Sequence, residues 1–314
     1  MKRLAFMFPG QGAQAVGMGR ELYNKYPAAK EVFDTANEVL GFDLKSIIFE
    51  GPEETLKLTQ YTQPAIFTTS VAAFRSFTSL FDLAGNECSF AGHSLGEYSA
   101  LCCAGAFSLN EGLLMVKARG EYIQKASNAN PGAMAAILGL DKLKVEEICK
   151  SASLSGICEA VNYNSPEQTV IAGSKAGIEK AITLATEAGA SKAILLNVSG
   201  PFHSSLMTTA AENMREELSK YKFHDPAYPV YTNCDAAKTT LSAEIPAKLV
   251  TQINHPVLWD GAIKNMASAG AETFIEVGPG RVLCGLLRRI DKTRKFLNIE
   301  DSVSLDKTLA SLAS

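Results

Sequence analysis

This 314-residue sequence lacks four features, and each absence argues against a broad class of protein. It has no basic excess, since 33 acidic residues outnumber 30 lysines and arginines for a net charge of −3; this argues against a general nucleic-acid binder. Its seven cysteines are odd in number and show no CxxC or other metal-ligand spacing, which is typical of free thiols in a reducing cytoplasm. Its longest uncharged apolar runs, residues 66–74 and 100–109, are too short to cross a membrane. The apolar stretch before Pro9 is likewise too short for a secretion signal.

What remains is a chain with enough apolar residues for a large core, at 46% hydrophobic and 20% charged. Short apolar runs at Leu4–Phe8, Cys88–Gly92 and Thr273–Val277 predict buried strands. Between them the pattern is helical, including a helix over Pro64–Leu83 capped by Thr62 and another over Pro256–Ala269. Strands that alternate with helices predict an α/β fold whose parallel sheet is covered on both faces.

The middle of the chain follows a different pattern. After a linker that begins at Asn128, the elements are ordered strand, helix, strand, strand, helix, strand as far as Val198. This βαββαβ order is that of the ferredoxin-like unit. The sequence therefore predicts a small inserted domain over residues 128–198, with residues 1–127 and 199–314 together forming a large domain.

A GxSxG motif, Gly92–Gly96, follows the second predicted strand and precedes a helix. This is the setting of a nucleophile elbow, in which a serine stands on a sharp turn at a helix N-terminus. It predicts Ser94 as a nucleophile, the Leu95 N–H as an oxyanion donor, and an α/β-hydrolase-like large domain. The alternative interpretation is a glycine-rich turn without catalytic function.

A serine nucleophile needs a base, and the chain offers four histidines. His93 lies inside the elbow, His224 in a predicted surface turn and His255 in a loop between two helices. His203 lies where the chain leaves the inserted segment, and domain junctions favour clefts. We therefore expect His203 to be the base, the alternative being an ordinary residue at a helix N-terminus. No acidic residue adjoins it in sequence to orient its ring.

Arg119 lies on the apolar line of a predicted helix over Glu111–Ser127. An unpaired charge on a buried face is costly, so Arg119 must have an anionic partner. That partner is either a protein carboxylate or the carboxylate of a substrate, which guanidinium binds in a bidentate fork. The residues alone leave both possibilities open.

The loop Gly10–Ala15 follows the first strand and fits a loose dinucleotide-binding fingerprint. That fingerprint also requires a helix at once and a second strand that ends in an acidic residue about 20 residues later. Residues 20–40 are predicted to be helical instead, which argues against a nucleotide cofactor. The loop is better suited to a close approach of backbone to a ligand, with Gln11 as a second oxyanion donor.

In seven motifs and in their order, the sequence resembles the malonyl-CoA:acyl carrier protein transacylases of type II fatty acid synthesis. The resemblance extends from Leu4 to about Arg289. The motifs are Gly10–Gln14, Gly92–Glu97, Arg119–Gly120, Asn162–Pro166, Gly200–His203, Asn254–Val257 and Glu276–Gly280.

The resemblance implies a role for each candidate residue. Ser94 resembles the acyl-accepting nucleophile and His203 its base, which this family orients with backbone carbonyls instead of a carboxylate. Gln252 resembles the family's glutamine near that histidine. Gln11 and Leu95 resemble the oxyanion hole.

Three further positions concern the substrate. Arg119 resembles the clamp for the malonyl carboxylate. Asn162 falls in a motif of the small domain that faces the cleft. Phe202 occupies a position that varies among relatives, where Phe accompanies malonyl over branched acyl groups, so we expect it to narrow the pocket.

The resemblance further implies transfer of malonyl from malonyl-CoA to the phosphopantetheine thiol of acyl carrier protein, by a ping-pong mechanism through a malonyl-serine. No metal or other cofactor is expected, and the partners are malonyl-CoA and the carrier protein. Two alternative functions remain. One is a serine thioesterase or esterase, in which water is the acceptor; the other is a non-catalytic module that binds acyl carriers. An acidic carrier would suit a basic cluster near the C-terminus, although a solvated helix end is the favoured explanation of that cluster. The cluster comprises Arg288, Arg289, Lys292, Arg294 and Lys295.

Overall fold

A computed structural model describes residues 1–313 of the chain. Ten strands lie within those residues, and they form two separate sheets. In chain order the strands are β1 (Arg3–Phe8), β2 (Glu87–Gly92), β3 (Ala133–Leu138), β4 (Cys158–Ser165), β5 (Gln168–Gly173), β6 (Lys192–Leu195), β7 (Val230–Tyr231), β8 (Lys238–Thr239), β9 (Thr273–Val277) and β10 (Lys295–Ile299).

Fourteen α-helices accompany the strands within the same residues. They are α1 (Arg20–Lys25), α2 (Pro27–Leu40), α3 (Leu44–Glu50), α4 (Glu53–Leu56), α5 (Thr59–Thr78), α6 (Gly96–Cys103), α7 (Leu109–Ala129), α8 (Lys142–Ala152), α9 (Lys175–Glu187), α10 (Thr208–Leu218), α11 (Ile245–Asn254), α12 (Trp259–Ser268), α13 (Val282–Ile290) and α14 (Ser302–Ala313). Within residues 1–313, none of these helices is both long and apolar enough to span a membrane.

The larger sheet has the order β10-β9-β1-β2-β7-β8 and is parallel except for the short β7–β8 pair. Its central strand β1 is buried over five consecutive residues, because helices cover both faces of the sheet. Phe6, Phe74 and Phe90 meet with ring centroids 5.1–5.6 Å apart at the centre of the main core. The predicted α/β fold with a parallel sheet is confirmed.

The smaller sheet is antiparallel, with the order β4-β5-β3-β6. Helices α8 and α9 pack on one face and bury residues such as Ile137 and Ile171. The other face, which carries Met134, Ala136 and Val170, packs against Phe202. These elements occur in the predicted βαββαβ order and confirm the ferredoxin-like unit. The domain boundaries at 127/128 and 198/199 stay predictions.

Main-chain hydrogen bonds connect the small sheet to the loop between α11 and α12. The Val257 N–H donates to Val161 O at 2.8 Å, and the Tyr163 N–H donates to Val257 O at 2.9 Å. This bridge pairs Asn162 of β4 with Val257 in the loop after α11. Because Val257 adopts an extended conformation there, the helix predicted over Pro256–Ala269 begins only at Trp259.

Helix α5 differs from its prediction in its bounds and in its cap. Helix α5 begins at Thr59 and contains Pro64, so the helix predicted over Pro64–Leu83 starts earlier and ends earlier. The Thr62 hydroxyl is not its cap but donates back to Leu56 O and Leu58 O.

The start of helix α13 is held by a buried carboxylate from the adjacent strand. Glu276 of β9 is fully buried, and it accepts the backbone N–H groups of Leu283 at 3.0 Å and Cys284 at 2.7 Å. These are N–H groups of the first turn, which have no partner within the helix. Burial raises the pKa of Glu276 to about 7. The helix fixed in this way lines the cleft described below.

Candidate active site

The turn between β2 and α6 has the geometry of a nucleophile elbow. Ser94 adopts a left-handed backbone conformation with φ of 51°, which L-residues seldom adopt outside functional sites. A Cβ on Gly92 would overlap the backbone of Gly96, and a Cβ on Gly96 would overlap Phe8 O. The two glycines of the motif are therefore required by close backbone approach. The turn places Ser94 Oγ at the floor of a cleft.

Asn233, in the loop after β7, holds this turn from the side. Its Oδ1 accepts the Ser94 N–H at 2.7 Å, and its Nδ2 donates to Gly92 O at 2.7 Å. Both Asn233 bonds satisfy elbow backbone groups that would otherwise be costly to bury. Asn233 could not be predicted as a site residue, since no motif in the sequence marks it.

Ser94 and His203 form a hydrogen-bonded pair. Ser94 Oγ lies 2.8 Å from His203 Nε2, and His203 Nδ1 lies 2.7 Å from Gln252 O. A carbonyl can only accept, so Nδ1 carries the proton and Nε2 is free to accept from the serine hydroxyl. Burial and, second to it, the charge of Arg119 together lower the pKa of His203 to about 3. A neutral imidazole with this tautomer can accept the serine proton.

The other three histidines lie away from Ser94 Oγ. His93 is turned from its neighbour's hydroxyl, and its Nε2 lies 2.8 Å from Asn164 Oδ1 on β4. His255 is exposed and its Nδ1 contacts Thr251 O at 3.1 Å. The backbone N–H of His224 donates to Ala106 O. Among the four histidines, only His203 contacts the proposed nucleophile.

Arg119 reaches the same serine from helix α7. Its guanidinium donates from Nη1 to Gln63 Oε1 at 2.7 Å, from Nη2 to Gln252 Oε1 at 2.9 Å, and from Nη2 to Ser94 Oγ at 3.2 Å. The side chain is 2% exposed, and its Nε has no partner within residues 1–313. Over the same residues, no carboxylate forms an ion pair with it. Of the two partners left open by the sequence, the internal ion pair is therefore absent from the described chain.

The guanidinium of Arg119 faces a recess of about 30 Å³ beside the serine. Such a volume is large enough for a small polar group. The recess is lined by Gln11, Gln63, Ser94, Arg119, Ile123, Phe202, His203, Met207 and Ile253. A buried cation that no carboxylate within residues 1–313 contacts directly, and that lines a recess, is suited to bind a carboxylate.

The recess adjoins a wider cleft of about 510 Å³ between the two sheets. The large sheet's side of this cleft includes Gln11, Ser94 and the first residues of α13. The small sheet contributes Met134, Asn162 and Val170. The volume and the mixed polar and apolar lining are typical of a small-molecule site.

The remaining predicted site residues lie around this cleft. Gln11 lines both cavities, Phe202 lines both, and Asn162 lines the wider one, where its backbone takes part in the bridge to Val257. The backbone N–H groups of Gln11 and Leu95 have no acceptor within residues 1–313. Their roles in catalysis stay predictions.

Two residues that sequence reasoning missed complete the surroundings of Arg119. Gln63 lies on α5, and Glu97 lies fully buried on α6 with its Oε2 accepting from Gln252 Nε2 at 2.9 Å. Glu97 belongs to a motif that the sequence analysis singled out, but its neighbours become apparent only in the fold. Gln63 lies in a run of buried helix residues and carries no local signal.

Comparisons with known proteins agree with this geometry. A family model described as "Acyl transferase domain" matches residues 5–305. A malonyl CoA-acyl carrier protein transacylase from Bacillus subtilis is 43% identical over 314 residues, covering 99% of this chain and 98% of the relative. The crystal structure of an acyl-carrier-protein-S-malonyltransferase from Bartonella henselae is similar with a TM-score of 0.96 and 39% identity, over 100% of both chains.

A further solved structure contains a type II PKS acyl-carrier protein in complex with its malonyl-transacylase. This chain is similar to the transacylase with a TM-score of 0.94 and 38% identity, covering 99% of this chain and 100% of that one.

Proposed function

Since the chain belongs to the acyl transferase family, we propose that it transfers the malonyl group from malonyl-CoA to the phosphopantetheine thiol of acyl carrier protein. The observation that carries this proposal is the position of Arg119. Its Nη2 lies 3.2 Å from Ser94 Oγ, yet no carboxylate of the described chain pairs with it. An acyl group attached to Ser94 therefore meets a buried cation, which favours an acyl group that ends in a carboxylate.

The first half-reaction begins at the serine–histidine pair. Ser94 Oγ forms a bond to the thioester carbonyl carbon while its proton passes to His203 Nε2. Negative charge develops on the carbonyl oxygen, for which the free N–H groups of Gln11 and Leu95 are our proposed donors. When the C–S bond breaks, the proton moves from His203 to the departing CoA sulfur. The product is a malonyl-serine ester.

The second half-reaction runs the same steps in reverse order with a new thiol. The phosphopantetheine thiol of the carrier protein gives its proton to His203 and attacks the ester carbonyl carbon. Ser94 Oγ then leaves and recovers the proton, which completes a ping-pong cycle. The phosphopantetheine belongs to the carrier, so the protein itself needs no cofactor for this chemistry.

The cleft and the end of helix α13 suit the binding of an acyl carrier protein. The wide cleft lies between the sheets and includes Ser94, so the extended phosphopantetheine arm of a carrier protein could reach the serine through it. At the end of α13, Arg289 contacts Gln168 of the small sheet at 2.7 Å, and Arg288 packs over Phe296. We propose that an acidic carrier docks near this end of the cleft.

We place the reaction in the cytoplasm because the scattered cysteines suit a reducing compartment.

Incubation with malonyl-CoA followed by intact-mass measurement tests the proposed function. We expect one malonyl adduct per chain, absent from Ser94→Ala and removed on addition of holo acyl carrier protein. Rapid CoA release without a carrier and without a lasting adduct would favour the thioesterase alternative. No adduct and no turnover would leave only a non-catalytic acyl-carrier-binding module and would refute the proposal.

His203→Ala should lose the adduct, whereas His255→Ala is the matched control. His255 is an exposed histidine whose ring contacts Thr251 O and Asn254 Oδ1, and it makes no hydrogen bond to Ser94 within residues 1–313. Equal loss in both variants would contradict the assignment of His203 as the base.

A further inference from the structure

Glu97 is a buried carboxylate close to the site that the reaction steps above do not use. It lies on the first turn of α6 and is fully buried. Its Oε2 accepts the Asn233 N–H at 3.0 Å and Gln252 Nε2 at 2.9 Å, while its Oε1 has no partner within residues 1–313. A buried acidic group that is only partly satisfied is costly, which indicates a function beyond packing.

The partner that links Glu97 to the chemistry is Gln252. Its Nε2 donates both to Glu97 Oε2 and to Ser94 O, the latter at 2.8 Å. Its Oε1 accepts from Arg119 Nη2, and its backbone O accepts from His203 Nδ1. One glutamine therefore contacts the acid, the serine backbone, the base and the guanidinium.

Only one orientation of the Gln252 amide satisfies these neighbours. If the amide were reversed, Oε1 would face the oxygens of Glu97 and Ser94, and the NH₂ group would face the donors of Arg119. Arg119 has donors only, so it needs oxygen atoms from its neighbours. Glu97 takes the second proton of Gln252 Nε2, and together with Ser94 O it determines that the oxygen faces the guanidinium.

We propose, on the basis of the function proposed above, that Glu97 is a positioning residue for acyl-group selectivity. By accepting from Gln252 Nε2, it holds Gln252 Oε1 against Arg119 Nη2. The guanidinium is then held in the plane that presents its donors to the carboxylate of the acyl group. The side-chain amide of Gln252 lies between Glu97 and Arg119. Glu97 therefore orients the guanidinium without occupying the N–H donors that the substrate carboxylate needs.

The essential property is the accepting oxygen, and a matched pair of variants isolates it. Glu97→Gln retains an oxygen that can accept from Asn233 N and Gln252 Nε2. Glu97→Met has a similar length and volume but no comparable acceptor. The quantity measured is the ratio of kcat/KM for malonyl-CoA to that for acetyl-CoA, in transfer to holo acyl carrier protein. Circular dichroism and thermal unfolding identify variants that retain the fold.

We expect Glu97→Met to lower this ratio about tenfold, the effect of one hydrogen bond in a buried site. Glu97→Gln should retain a ratio within about threefold of the unmodified protein, and thus rescue the loss. A purely structural role would lower both rates equally and leave the ratio unchanged in Glu97→Met, which would overturn the proposal. Equal losses in both variants would also overturn it, because charge and not the acceptor would then matter.

Two controls keep the outcomes separate. If Glu97→Met does not fold, Glu97→Gln decides alone, since a fall of its ratio beyond threefold contradicts the proposal. The unmodified protein reports on the function itself. If it fails to transfer malonyl at all, the proposed function is refuted, whereas normal transfer with an unchanged ratio in the methionine variant refutes only the role of Glu97.

Discussion

His203 should work as a base at pH values where an ordinary histidine is protonated. Its pKa is lowered to about 3, mainly by burial and next by the charge of Arg119, from an ordinary value of 6.5. At pH 5 a histidine with the ordinary pKa would be only about 3% neutral, whereas His203 would be about 99% neutral. Because a general base acts in its neutral form, the acylation rate should be nearly unchanged between pH 8 and pH 5.

The assay is kcat/KM for CoA release in the first half-reaction, measured by rapid mixing from pH 8 to pH 5. This parameter reports on groups of the free enzyme. Glu97 and Glu276 also titrate in this range, since burial raises the pKa of each to about 7. Profiles should therefore be compared with those of a Glu97→Gln, Glu276→Gln double variant, which removes both titrations, and with circular dichroism to verify the fold at each pH.

A rate that falls at pH 5 to about 3% of its value at pH 8, in the folded double variant, would refute this account of His203. A complementary variant examines the cause of the shift. Arg119→Ala removes a positive charge that lowers the pKa of His203. Any acidic fall in its residual acetyl-transfer rate should therefore occur at higher pH than in the unmodified protein.

Three further changes have definite expected outcomes. Arg119→Ala should lower kcat/KM for malonyl transfer at least about 100-fold and acetyl transfer far less, because each charge-assisted hydrogen bond contributes about 1.5–3 kcal/mol; equal losses in steady-state assays would indicate a structural role. Phe202→Ala should raise methylmalonyl transfer relative to malonyl transfer about tenfold in competition assays, as one methyl group permits, and unchanged selectivity would contradict it. Glu276→Ala should lower the free energy of unfolding in urea by about 2–4 kcal/mol, since Leu283 and Cys284 lose their acceptor; a change below about 0.5 kcal/mol would contradict that cap.

The features that the sequence predicts well are those determined by local geometry. Ser94 is recognisable because the elbow needs glycines at fixed spacing, and the overlaps at Gly92 and Gly96 explain that need. Helix α7 is likewise predictable, since Ser108 and Glu111 form a capping box. In both cases the relevant neighbours lie within a few residues along the chain.

The features that could not be predicted depend on contacts between distant segments. Gln63 and Asn233 reach the site from elements whose local sequence shows nothing unusual. The burial of Arg119 was predictable from its helical face, but the absence of a carboxylate beside it follows only from the packing of α5, α7 and α11. The late start of α12 has the same origin, because a strand from the inserted unit pairs with Val257.

The bridge between Val257 and β4 also bears on how new acyl selectivity can arise in this molecule. Two main-chain hydrogen bonds and the contact between His93 and Asn164 fix the position of the small sheet relative to the elbow. Substitutions on the sheet face that lines the cleft, at positions such as Met134 and Val170, can therefore reshape the cavity wall while the elbow keeps its position. The inserted unit thus provides a wall that can vary while the nucleophile stays fixed, in natural evolution as well as in protein engineering.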